Sequence, residues 1–258
     1  MHLIDTHTHL YVEEFKEDQT AVIERAILAG VKEFYLPAID ASYLPQMLAL
    51  KKAYPEQIHL MMGLHPTQVK EDFKSVLAAM EPLFEQHHFV GVGEIGVDLY
   101  WDKSLKVQQQ EAFSLQITWA KKRQLPIVIH CRDAFEEVFE VLETHRGDDL
   151  FGIFHCFTGT AIDAQRAIDL NFKLGIGGVM TFKNGKINTF LHQFPLEQIV
   201  LETDSPYLAP TPFRGKRNES AYLSYVAQAV AQCYSISVEE VAAQTTLNAQ
   251  ALFKQSAR

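Results

Sequence analysis

Short apolar runs recur along the chain, each followed by a longer stretch whose apolar residues return every three or four positions. The runs cover residues 2–5, 33–37, 58–63, 89–95, 126–130, 151–155, 172–177 and 198–202. Near-continuous apolarity of this length predicts strands buried on both faces, as in a parallel sheet. The stretches 18–29, 42–53, 103–123, 134–144 and 161–170 predict amphipathic helices; in the third, Phe113, Ile117 and Ala120 share a face. Gly30 stands just past the first as a C-terminal cap, and the second stops before Pro55. Parallel strands need helical crossovers, and eight such units predict an α/β fold, a closed (β/α)8 TIM barrel, with residues 1–258 as its single domain. An open doubly wound sheet is the rival. It would carry a glycine-rich phosphate loop after an early strand, whereas the first run here leads into Thr6-His7-Thr8-His9.

Composition supports a large core and narrows the partners. Hydrophobic residues make up 47% of the 258 and charged residues 21%, which excludes a disordered or coiled-coil chain. The net charge of -9 argues against wrapping long duplex DNA, though not against a local basic patch. Cys131, Cys156 and Cys233 are too few and too scattered for a disulfide framework and suit a reducing compartment. The first residues lack the basic and apolar segments of a signal peptide, and no apolar stretch reaches the ~18 residues of a membrane span. The expectation is a cytoplasmic protein without a membrane segment, monomeric or weakly oligomeric.

Chemistry concentrates at the ends of the predicted strands, where a barrel enzyme keeps its site. His7 and His9 are two apart, so on an extended chain their rings share a face and can reach one ion. His130 and His155 each close an apolar run. Glu94 and Asp204 supply the negative charge that neutral imidazoles lack. Four histidines with two carboxylates suit two borderline divalent cations such as Zn²⁺ or Mn²⁺ better than Mg²⁺, which prefers an all-oxygen shell. Glu202 is open to three roles: general base, orienter of a ligand histidine, or strand-end anion. Asp98 reads as a support of the ligands or a loop cap, and His65 as a substrate contact, a metal contact or part of a rigid turn before Pro66. Cys131 and Cys156 directly follow ligand candidates and are expected to face the barrel wall as packing residues. Ser205 lacks the GxSxG setting of an esterase nucleophile, and Gly175-Ile176-Gly177-Gly178 is only a fragment of a nucleotide loop.

The segments IDTHTHL (4–10), GLHP (63–66), VGEIGVDLYWD (92–102), LPIVIHCRDA (125–134), FHCFTGT (154–160), LGIGGVMTFKN (174–184) and LETDSPYLAPTPFRGKRNE (201–219) together resemble the TatD family of metal-dependent hydrolases, over nearly the whole chain. The resemblance implies an amidohydrolase-type barrel with two divalent metal ions (Zn, Mn or Mg). It implies that His7, His9 and Asp204 hold one ion and His130 and His155 the other, with Glu94 bridging where many relatives use a carbamylated lysine. It further implies phosphodiester hydrolysis, as a 3′-to-5′ exonuclease on single-stranded DNA. Asp204 or Glu202 would then take a proton from the attacking water. His65, Arg132, Lys183, Arg214 and Tyr207 are the candidate substrate contacts, with Lys216 and Arg217 extending a basic loop and Tyr100, Trp101 and Phe157 offering rings for bases. Such a basic loop is equally at home as a solvated surface. Two other readings keep the same residues: a hydrolase of an amide, lactone or aminoacyl ester, and a non-catalytic metal-holding barrel that binds nucleic acid or a partner.

Overall fold

The computed structural model describes residues 1–254. Its strands are β1 (Leu3–Asp5), β2 (Val31–Pro37), β3 (Ile58–Met62), β4 (Gly91–Asp98), β5 (Ile127–Arg132), β6 (Gly152–Phe154), β7 (Phe172–Ile176) and β8 (Ile199–Leu201). They pair in that order, all parallel. The ring closes between its ends: Thr6 donates from N–H and Oγ1 to the Leu201 carbonyl at 3.1 and 3.0 Å, and Asp204 N–H donates to the His7 carbonyl at 2.9 Å.

Around the barrel run α1 (Gln19–Leu28), α2 (Leu44–Ala53), α3 (Phe73–Met80), α4 (Leu83–Gln86), α5 (Lys106–Arg123), α6 (Phe135–Thr144), α7 (Ala161–Asp169) and α8 (Leu223–Tyr234); α9 (Val238–Lys254) follows. The five expected helices are present within a few residues. Two differences from the regular pattern stand out. Among the described residues the β7–β8 connection holds only short 3-10 turns, starting at Gly178–Thr181, so the seventh crossover has no α-helix. The helices α3, α4, α8 and α9 add to the expected set; α3 and α4 are short pieces on either side of Pro82, below the length at which a periodic pattern is decisive. No helix among the described residues is long and apolar enough to cross a membrane.

Strand alternation divides the apolar side chains into two compartments. Ile127 and Ile129 face the helices, while Val128 joins Ile4, Tyr35, Met61, Ile153 and Val200 inside the barrel. Ala249, Leu252 and Phe253 of α9 pack on that interior cluster. The same period of two explains the polar mouth. Two residues beyond Val128, Ile153 and Val200 come His130, His155 and Glu202, so each apolar interior position is followed by a polar one a layer higher.

Candidate active site

Glu94, buried midway along β4, is the centre on which the histidines converge. Its Oε1 lies 2.7 Å from His130 Nδ1, 3.2 Å from His155 Nε2 and 3.3 Å from His65 Nε2. Its Oε2 faces the other side, 3.1 Å from His7 Nε2 and 3.5 Å from His9 Nε2. Asp204 Oδ1 is 3.7 Å from His7 Nε2 and 3.5 Å from His9 Nε2. The extended chain after β1 does what the spacing predicts: the two Nε2 atoms of His7 and His9 are 3.2 Å apart. Among the described residues three groups have ligand atoms within 4.8 Å of one another: His7, His155 and Asp204; His7, His9 and Glu94; and His65, Glu94 and His130.

Three of the outward nitrogens have partners that can take a hydrogen. His130 Nε2 is 2.8 Å from Asp98 Oδ2, and His155 Nδ1 is 3.1 Å from Glu202 Oε1, so each ring can donate outward to a carboxylate. Tyr11 donates its hydroxyl hydrogen to the Pro37 carbonyl at 2.6 Å, which leaves the oxygen to accept from His9 Nδ1 at 2.9 Å. These three rings turn a lone pair toward the centre, as ligands held by outer carboxylates or hydroxyls do. His65 is set the other way. Thr67 N–H donates to its Nδ1 at 3.2 Å, so the inward Nε2 carries the hydrogen. His7 Nδ1 is buried without a hydrogen-bond partner among the described residues.

Inward lone pairs facing carboxylate oxygens at these distances require a cation between them, a proton or a metal ion. The ring pKa values report this field. Burial depresses His9, but Asp204 and Glu94 outweigh it and push the ring up to about 9. Burial likewise opposes His155 and His130, yet Glu94 with Glu202 holds the first well above the usual histidine range, and Asp98 with Glu94 raises the second. Glu94 is buried, but His155, His65 and His7 hold its carboxyl well below the usual range. Burial and the neighbouring His155 lower His7. A site that draws protons this strongly suits divalent cations, and its mixed nitrogen and oxygen donors suit borderline ones.

Asp98 does both things expected of it: Oδ2 meets His130, and Oδ1 accepts the N–H groups of Tyr100 and Trp101 at 3.0 and 3.2 Å. Glu202 is fully buried and its Oε1 accepts Cys156 N–H at 2.6 Å beside the His155 contact, the posture of an orienter. Gly175 is needed beside it, because a Cβ there would stand 2.4 Å from Glu202 Oε2. Gly175 thus serves close packing against this carboxylate, and Gly178 close packing against the Leu208 carbonyl. Tyr11 and Thr67 were not anticipated, although each stands two residues beyond a candidate histidine. Asp5 was missed too: its oxygens accept from Thr203 N–H at 2.9 Å and Thr203 Oγ1 at 2.6 Å, anchoring the segment that carries Asp204.

A cavity of about 1020 Å³ opens over this cluster. His65, Arg132, Tyr207, Arg214 and Lys216 line it, as does Trp101. Phe157, Arg217 and Cys156 stand otherwise than expected. Lys183 stands in an exposed turn and is not among the lining residues. Phe157 is 3% exposed and packs against Phe135 and Phe154, so its ring is closed to a base. Arg217 is spent on Asp18 at 2.7 and 2.8 Å and on Glu219 at 3.1 Å. Cys156 occupies a turn with φ of 44° while Cys131 lies on β5, and both border the cavity. Burial pushes both thiols up, so neither is a ready nucleophile.

A barrel whose strand ends gather imidazoles and carboxylates in this way defines a metal-dependent hydrolase. The chain belongs to the TatD family of such enzymes, since the family model for TatD related DNases matches residues 4–254. It is 39% identical over 253 residues to YabD, an uncharacterized metal-dependent hydrolase of Bacillus subtilis, covering 98% of this chain and 99% of that one. It is 31% identical over 257 residues to TatD of Erwinia tasmaniensis, a 3′-5′ ssDNA/RNA exonuclease, covering 97% and 99%. The crystal structure of YJJV, a TatD homolog from Escherichia coli K12, matches with a TM-score of 0.92 at 29% identity, over 98% of each chain.

Proposed function

We propose that the chain is a two-metal phosphodiesterase, acting as a 3′-5′ exonuclease on single-stranded DNA, with residues 1–258 as one catalytic domain. The observation that carries this reading is the division of Glu94. Its Oε2 faces His7 and His9 while its Oε1 faces His130 and His155, the disposition of a carboxylate shared by two cations. His7, His9 and Asp204 would hold one ion, and His130 and His155 the other. Bound there, a pair of Zn²⁺ or Mn²⁺ ions supplies Lewis acidity, acidifying water and offsetting the charge of a diester.

The remaining work falls to the chain itself. Asp204, kept ionised by His9, His155 and His7 against its burial, is the group to accept the proton of the attacking water. Glu202 holds His155 in place. His65 directs an N–H into the cavity, where it can donate to a non-bridging phosphate oxygen. Arg132, Arg214 and Lys216 on the rim offer charge to the flanking phosphates, and Tyr207 a ring. The names of relatives such as the Erwinia exonuclease support the polarity and the substrate. The three free cysteines fit a reducing, cytoplasmic setting.

The test uses purified protein loaded with Mn²⁺ or Zn²⁺ and 5′-labelled single-stranded DNA. Stepwise shortening from the 3′ end is expected, together with about two metal equivalents per chain. His130→Ala and Glu94→Ala, shown folded by circular dichroism, should lose this activity. Full cleavage by either variant overturns the proposal, and turnover of amide or lactone substrates with none of the diester moves the same site to another bond.

A further inference from the structure

The turn after β4 carries an aromatic surface that the proposed chemistry leaves unused. Among the described residues, the prominent exposed rings are Tyr100, Trp101 and Tyr207, at 53%, 71% and 46% exposure. All three stand on the loops that follow β4 and β8, at the mouth of the barrel. The Arg132 guanidinium carbon lies 3.8 Å from the Tyr100 ring centre and 5.5 Å from that of Trp101. Tyr100 and Trp101 meet edge to face, with centres 4.9 Å apart and planes at 89°. Arg132 therefore covers the Tyr100 ring, while the indole keeps most of its surface in solvent. The turn is fixed from below, because Asp98 Oδ1 accepts the N–H groups of both residues. An indole on the edge of the cavity, beside a guanidinium held in place by a second ring, matches the stacking platforms of single-strand binders.

We infer that Trp101 is the platform on which a nucleobase of the substrate stacks, with Arg132 pairing the adjoining phosphate. The inference rests on the phosphodiesterase reading and adds base recognition to it. A stack on an open indole accepts any base and excludes a paired one, so it selects single strands with little sequence preference.

The experiment compares oligothymidylate with an abasic oligomer of the same length. The chain has two tryptophans, and Trp119 is buried, so the emission lost in Trp101→Phe reports on position 101. With the metal-loaded enzyme, a phosphorothioate oligothymidylate should quench that emission saturably and its abasic counterpart should not. In cleavage, the wild type should prefer the base-bearing oligomer by roughly tenfold in kcat/KM, from one stacked base. Trp101→Ala should erase this preference and Trp101→Phe keep most of it. An undiminished preference in Trp101→Ala, or emission insensitive to the base, overturns the platform. Base-dependent quenching without cleavage supports the platform and defeats the phosphodiesterase reading; cleavage blind to the base does the reverse.

Discussion

Asp98 Oδ2 lies 2.8 Å from His130 Nε2, and the other oxygen of the same carboxylate holds the turn bearing Tyr100 and Trp101. One side chain therefore sets both the ring of a proposed ligand and the rim where substrate enters. Asp98→Asn can still accept the two N–H groups of the turn, but it loses the charge behind His130. Metal affinity should fall by about 10- to 100-fold, the usual cost of losing such an outer partner. Competition with a fluorescent chelator measures this. An unchanged affinity would show that the contact does not orient His130.

Gly175 and Gly177 give a paired test of the Glu202 carboxylate. A Cβ at Gly175 would stand 2.4 Å from Glu202 Oε2 and 3.1 Å from the His155 Cα, whereas one at Gly177 meets nothing nearer than the Glu202 carbonyl oxygen at 3.5 Å. Gly175→Ala should destabilise the fold by ~1–3 kcal/mol and cut turnover, because the carboxylate and His155 must move. Gly177→Ala should stay within ~1 kcal/mol of the parent. Urea melts of both variants decide the matter, and equal effects at the two positions would count against the crowding argument.

The barrel was legible because strands buried on both faces read as apolar runs, and the ligand candidates because a polar ring at the end of such a run stands out. What stayed hidden depends on contacts between distant segments. The need for Gly175 exists only because Glu202 packs on it from the neighbouring strand. Arg217 and Phe157 were misplaced for a related reason: residue type marks a loop as basic or aromatic without saying which way it faces. Phe157 follows Cys156, whose φ of 44° reverses the chain and sends the ring into the cluster of Phe135 and Phe154. Tyr11 and Thr67 were readable in principle, since both continue the two-residue spacing of His9 and His65.

His65 and His130 are both within reach of Glu94, at 3.3 and 2.7 Å, but their tautomers differ. With Thr67 N–H on its Nδ1, His65 presents a hydrogen to the cavity and should act on the substrate. His65→Ala is expected to keep its metal content and lose ~10²-fold in kcat/KM, the range for removing one aimed donor. His130→Ala should lose metal as well as activity. Elemental analysis separates the two, and loss of an ion from His65→Ala would make it a ligand instead.

Glu33 tests the opposite end of the barrel, away from the mouth. Its Oε2 lies 3.1 Å from His59 Nε2 and accepts the Tyr35 hydroxyl at 3.3 Å. His59 holds the carboxyl below its ordinary 4.5, against partial burial. A carboxyl depressed in the folded state adds stability above its unfolded pKa and gives it up as pH falls through the folded value. Glu33→Gln should therefore cost ~1 kcal/mol near pH 7. That deficit should be intact at pH 6 and shrink steadily below pH ~4.5, as the parent's carboxyl protonates. Turnover per folded molecule should not change, because the contact lies below the apolar plug that separates it from Glu94. Urea melts from pH 7 to 3, with metal chelated throughout, give the difference directly, and a deficit that is constant across that range would rule out the carboxylate as its source.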